Sequence, residues 1–212
     1  MANVKKGDLV KMEYTGRLAS TGAVFDTTDE SVARKAGIWE SSNSYGPKHA
    51  LFGTGAIIEG MEEAILACQV GKGEDFAIGP KKAFGERDNA LVRMIAEKEF
   101  FKNQVRPQPG MMVSLDGALA RVKSVTSGRV VVDFNHPLAG EQVVYSIKVH
   151  EIVTDDAARA EALLSSLGVK GTVTATGGNL AVSFEKGTPS ERADAARRTI
   201  TAVIPKANVK AD

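Results

Sequence analysis

From Val10 the chain alternates apolar and polar side chains. Val10, Met12, Tyr14 and Leu18 share one parity, and Lys11, Glu13, Thr15 and Arg17 the other. A period of two with β-branched and aromatic members predicts a half-buried strand. Ser20-Thr21-Gly22 supplies a turn, after which Ala23–Asp26 returns to extended chain. Residues 29–50 lose the period. They form a polar excursion with Gly37, Gly46, Pro47 and the only tryptophan, Trp39, expected to be a surface connection pinned by one aromatic. The period then changes to that of a helix, since Met61, Ala64, Ile65 and Cys68 recur at i, i+3, i+4 and i+7 behind Gly60. Gly71-Lys72-Gly73 ends it, Glu74–Ile78 reads as a strand, and Pro80–Gly85 as a turn region.

Residues 86–134 differ from what precedes them. A short helical piece around Glu97–Phe101 is broken by Arg106-Pro107-Gln108-Pro109-Gly110. Strand patterns follow at Met111–Leu115, Leu119–Val125 and Val130–Phe134, separated by Asp116-Gly117 and Ser127-Gly128, as in a β-meander. Val143, Tyr145, Ile147 and Val149 then alternate along an amphipathic strand. Beyond Val153, Thr154 or Asp155 can cap a helix with Ala160, Leu163, Leu164 and Leu167 on one face and Gly168 at the C′ position. Two strand patterns, Val169–Thr176 and Leu180–Glu185, are joined by Gly177-Gly178-Asn179. Thr188-Pro189-Ser190-Glu191 reads as a capping box opening a helix that ends before Pro205. This α-β-β-α unit, residues 155–212, is small for a free-standing core. It is expected to pack on the rest of the chain or on another copy of itself. The whole reads as α+β.

Composition narrows the chemistry mainly by exclusion. The net charge is +1, so nothing in bulk favours nucleic acid or an anionic membrane. No apolar run reaches membrane-spanning length and no apolar segment follows the first residues, so a cytoplasmic location is expected. A lone thiol, Cys68, fits a reducing compartment and reads as a small buried hydrophobe. His49, His136 and His150 show no ligand spacing, so no metal site and no cofactor are expected. Gly53-Thr54-Gly55 with Gly60 misses the dinucleotide fingerprint by spacing, and no Walker lysine or nucleophile elbow occurs.

Four blocks carry a resemblance: Tyr14-Thr15-Gly16, Val24-Phe25-Asp26-Thr27-Thr28, Gly53 with Ile57-Ile58-Glu59-Gly60-Met61-Glu62-Glu63-Ala64, and Ala83-Phe84-Gly85. In order and spacing they resemble the FKBP family of prolyl isomerases, over about residues 4–153. The β-rich unit after Gly85, and the return at Asn135-His136-Pro137-Leu138-Ala139-Gly140, resemble SlyD-like members with an insert-in-flap domain. The long excursion and the C-terminal unit resemble longer archaeal-type members. The resemblance implies an antiparallel sheet wrapped on one short helix (1–85 and 135–154), an inserted chaperone domain (86–134) and a C-terminal domain (155–212) that could dimerise. It implies a peptidyl-prolyl cis/trans isomerase, or rotamase, acting on proline-containing peptides and unfolded chains. Tyr14, Asp26, Ile58 and Tyr145 would act on the amide, and Phe25, Ile57, Met61, Phe84 and Leu138 would hold the substrate. Two positions depart from the family pattern. Met61 stands where tryptophan is common, and Phe84 lacks the usual tyrosine hydroxyl. Taken singly, Phe25, Ile57 and Met61 also read as core residues, and Asp26 as a surface turn residue. A holdase that binds without turnover, or a scaffold working through its C-terminal unit, would keep the same fold.

Overall fold

The computed structural model describes residues 4–5, 7–52, 57–176 and 179–210. The chain divides into two compact units, one formed by Met1–Gly79 with Gln142–Asp212 and the other by Pro80–Glu141. Together they form an α+β protein built on antiparallel sheets.

The sheet of the first unit is organised by β1 (Leu9–Leu18), which pairs antiparallel with β2 (Val24–Thr27), β3 (Lys48–Leu51) and β9 (Val143–Val153). On its other edge β9 pairs with β4 (Gly73–Ile78). The period-two pattern explains the facing: Val143, Tyr145, Ile147 and Val149 of β9 are all buried, as are Val10 and Met12 of β1. The helix α2 (Glu59–Ala67) packs on β4 and β9 through Met61, Ala64 and Ile65. Cys68 caps its end, buried, with burial pushing the thiol up to about 11.

Leu9 is as buried as Val10, which strict alternation does not anticipate. Its partner is the C-terminal segment, where Leu9, Leu51 and Val153 join Leu163, Val182 and Ile200 in one apolar cluster. A segment too short for a core of its own thus completes one with the start of β1. Asp155 caps α4 (Asp156–Ser166) by accepting from the Ala158 N–H at 2.8 Å, and Gly168 takes the left-handed conformation after it (φ 62°). Leu167 falls beyond the helix and stays exposed, while Ala162 is buried instead. β10 (Gly171–Thr176) pairs antiparallel with β11 (Asn179–Phe184); the Gly177-Gly178 turn lies outside the described residues. The capping box does not form. The Thr188 hydroxyl donates back to the Glu185 carbonyl at 2.7 Å, and α5 (Ser190–Val203) starts after Pro189 with no side-chain cap among the described residues. A strand with no recognised sequence pattern, β12 (Ala207–Lys210), adds parallel to β11.

The second unit holds β5 (Val92–Ala96), α3 (Glu97–Lys102), β6 (Met112–Leu115), β7 (Ala118–Thr126) and β8 (Arg129–Asp133), in the antiparallel order β5-β8-β7-β6. Its two tight turns use positive φ at both central residues, Asp116 with Gly117 and Ser127 with Gly128, the twist that suits two-residue hairpins. Phe100, Val113, Val122, Val130 and Val132 form its core. Met94, Phe101, Met112 and Leu119 remain exposed. Among the described residues of the chain, no helix is long and apolar enough to cross a membrane.

Candidate active site

Strand register gathers the first group of expected residues. Gly16 of β1 stands opposite Asp26 of β2 on one side and Tyr145 of β9 on the other. Having no side chain, Gly16 leaves room for two rings to close over it. A Cβ there would lie 2.8 Å from Phe25 Cζ and 3.0 Å from Tyr145 Cε1. Phe25 meets Tyr145 edge-on, with centroids 5.7 Å apart and planes at 85°, and Tyr14 meets Tyr145 at 5.9 Å and 57°. Both are the tilted geometries that aromatic quadrupoles favour.

Into this ring cluster Asp26 places a carboxylate. It accepts from the Tyr14 hydroxyl and the Thr27 backbone N–H. Burial raises its pKa above the usual carboxylate value, and the two hydrogen bonds offset part of that rise. The Tyr14 phenol is pushed up to about 12 by burial, the Asp26 charge and their hydrogen bond. Tyr145 is raised too, mainly by burial. At neutral pH the site therefore holds two neutral phenols beside one half-buried carboxyl. The bland alternative for Asp26, a solvated turn residue, does not hold: it is half-buried with a phenol as partner.

Ile58 is the N-cap of α2, and no side chain among the described residues caps that helix. The first N–H groups of a helix have no intrahelical acceptor, so this end can donate to a carbonyl. Ile57 and Ile58 are half-buried, while Met61 is 3% exposed on the buried helix face. The Gly53–Ala56 part of the third motif lies outside the described residues. Phe84 and Leu138 belong to the second unit. There Phe84 stacks on His136, with centroids 4.6 Å apart and planes at 4°, and the Leu138 N–H donates to His136 Nδ1 at 3.1 Å. Among the described residues, no group of three or more His, Cys, Asp or Glu side chains could hold a metal ion.

The 29–50 excursion is not the plain surface connection expected. It contains α1 (Glu30–Ala36) and ends in β3, and it walls a cleft of about 800 Å³. Tyr14, Phe25 and Asp26 line this cleft together with Ile38, Trp39 and Tyr45. The signals were local ones in a stretch without period. Asp29 caps α1 by accepting from Ser31 and Val32, and Gly37 closes it at φ 71°. The wall is tied to the site strand through Thr28, which is 2% exposed. The Thr28 N–H donates to the Tyr14 carbonyl at 3.0 Å, its hydroxyl accepts from the Tyr14 N–H at 3.0 Å, and its carbonyl accepts from Gly46 at 2.7 Å.

The sequence profile described as FKBP-type peptidyl-prolyl cis-trans isomerase matches residues 1–101, and that of the FKBP26 IF domain matches residues 93–138. The short-type peptidyl-prolyl cis-trans isomerase of Methanocaldococcus jannaschii is 38% identical over 149 residues, 70% of this chain and 94% of that protein. The FKBP-type 16 kDa peptidyl-prolyl cis-trans isomerase of Escherichia coli is 33% identical over 120 residues, 53% of this chain and 79% of the relative. The SlyD isomerase of Helicobacter pylori is 29% identical over 117 residues, covering 53% and 62%.

Proposed function

Because this chain belongs to the FKBP-type peptidyl-prolyl cis-trans isomerases, we propose that it rotates X–Pro bonds at the ring cluster around Gly16. Rotation about the bond faces a barrier of roughly 18–20 kcal/mol set by amide resonance. In the twisted transition state the resonance is lost, the carbonyl is less polar and the nitrogen more pyramidal. Surroundings that exclude water suit that state better than the planar amide, which water solvates well. Each ~1.4 kcal/mol of such preference gives about tenfold in rate. No nucleophile is needed.

The observation that carries this reading is the Tyr14–Asp26 pair, a carboxyl kept beside Phe25 and Tyr145 at the cost of raising its own pKa. Such perturbed carboxyls cluster at functional sites. Asp26 and Tyr14 orient the twisting amide, Tyr145 and Phe25 hold the proline ring, and the Ile58 N–H takes the substrate carbonyl. Ile57 and Met61 supply the apolar floor. Proline-limited refolding of a test protein checks the assignment: Asp26→Ala and Tyr145→Ala both slow it, and wild-type rates in both variants would mean the site lies elsewhere.

A chaperone role for residues 86–134 is part of the same proposal, supported by the exposed apolar side chains there: Leu119 at 68%, Met94 at 61% and Phe101 at 52%. Unfolded chains are the partners such a surface fits. Residues 155–212 provide a place for self-association, because β10 pairs on one edge only among the described residues. The reducing setting that suits the lone Cys68 agrees with a cytoplasmic protein.

A further inference from the structure

We propose that the excursion wall is a second peptide subsite, which takes substrate residues beyond the X–Pro pair and prefers an aromatic or aliphatic side chain there. The proposal rests on the isomerase site described above and extends it. Size is the first argument. Clefts that enclose a whole drug-sized ligand run to about 300–1,000 Å³. At about 800 Å³ this one is large for a prolyl ring and its neighbour alone. It is continuous with the Asp26 site, since Tyr14, Phe25 and Asp26 line it together with Ile38, Trp39 and Tyr45.

Preorganisation is the second argument. Trp39 is 37% exposed, yet it is held in place. Its indole N–H donates to Glu30 Oε1 at 3.2 Å, and the Arg34 guanidinium lies 4.0 Å from its ring centroid. The Tyr45 hydroxyl accepts from the Glu40 N–H at 3.0 Å, bracing the loop behind it. A large aromatic surface fixed in advance binds a partner with little ordering cost. Charge supplies the selectivity. Asp26 and Glu40 both line the cleft, while the Lys48 ammonium is engaged by the Ser44 carbonyl and hydroxyl. An acidic residue in the substrate would meet two carboxylates against one lysine among the described lining residues.

Trp39 is the only tryptophan, so its emission reports the subsite directly. Three tryptophan-free peptides share one Leu–Pro core: an uncharged tetrapeptide, a decapeptide with phenylalanine three residues from the proline, and the same decapeptide with aspartate there. The phenylalanine decapeptide should change Trp39 emission saturably, with the midpoint at which it competes against tetrapeptide turnover. The tetrapeptide should leave emission alone, and the aspartate decapeptide should bind several-fold more weakly. Trp39→Ala should raise the KM of the phenylalanine decapeptide relative to that of the tetrapeptide by about tenfold, the scale of one lost aromatic contact. Trp39→Phe should restore most of it. If the phenylalanine decapeptide competes for turnover while emission stays fixed, and Trp39→Ala shifts both KM values equally, the subsite is refuted and the isomerase site stands. If the tetrapeptide is not turned over at all, the isomerase site is refuted and the subsite with it.

Discussion

Gly16→Ala is the sharpest perturbation of the proposed site, because it adds one methyl group and no charge. The new Cβ would stand 2.8 Å from Phe25 Cζ and 3.0 Å from Tyr145 Cε1. Carbon atoms in contact prefer about 3.5–4.0 Å, so the rings must retreat by roughly 0.5–1 Å. Overpacking of this kind costs about 1–3 kcal/mol. For a chain of this size each kcal/mol lowers Tm by roughly 2–4 °C, which gives a loss of about 2–12 °C. The effect on turnover should be larger than stability alone implies, since Phe25 and Tyr145 are the rings that would grip the proline. A misplacement near 1 Å can cost on the order of a hundredfold. The assay is thermal unfolding together with kcat/KM on a proline tetrapeptide. Gly73→Ala is the control: Gly73 lies in the same sheet, and a Cβ there meets nothing within 4 Å. If Gly16→Ala matched that control in both Tm and turnover, the ring cage would not be the site.

Three further outcomes follow from other parts of the molecule. The folded state keeps the Tyr14 phenol neutral up to about 12, whereas an unfolded tyrosine ionises near pH 10, so this stabilisation is complete below pH 10 and is lost as pH rises toward 12; wild type should lose Tm faster than Tyr14→Phe across that window, and equal slopes would contradict the burial of the phenol. Gly171→Ala should destabilise by about 1–3 kcal/mol without altering tetrapeptide turnover of the folded enzyme, since its Cβ would press to 2.5 Å on the Ser183 carbonyl, remote in sequence from the ring cage; unchanged unfolding would mean that β10 is not seated as described. Deleting residues 86–134 should cut refolding catalysis on a protein substrate far more than turnover of a tetrapeptide, and equal losses on both would remove the chaperone role.

Much of this architecture was legible because alternation and helical period are direct consequences of having one buried face. Val10, Met12 and Tyr145 announced their strands, and Met61, Ala64 and Ile65 their helix. Asp116-Gly117 and Ser127-Gly128 announced turns through the conformations glycine permits. What escaped was set by tertiary contact or by competition among local bonds. Leu9 breaks the alternation only because a distant segment covers it. Thr188 had the sequence of a cap, but its hydroxyl found the Glu185 carbonyl instead. At the site, Tyr14, Phe25 and Asp26 could be named through the motifs they sit in. Trp39, Ile38 and Tyr45 could not, because no periodicity marks a wall held by capping, one indole hydrogen bond and the Thr28 tie.

The central claim is that a carboxyl inside the aromatic cluster takes part in X–Pro rotation. Asp26→Asn tests it most directly. The amide oxygen can still accept from the Tyr14 hydroxyl, so the variant removes charge while keeping shape and partner. The measurement is kcat/KM for cis-to-trans isomerisation of a Leu–Pro tetrapeptide, taken on folded wild type and folded variant at the same pH. A fall of about ten- to a hundredfold, equivalent to roughly 1.4–2.8 kcal/mol of lost transition-state preference, is the predicted result. Turnover equal to wild type in a folded Asp26→Asn protein would contradict it.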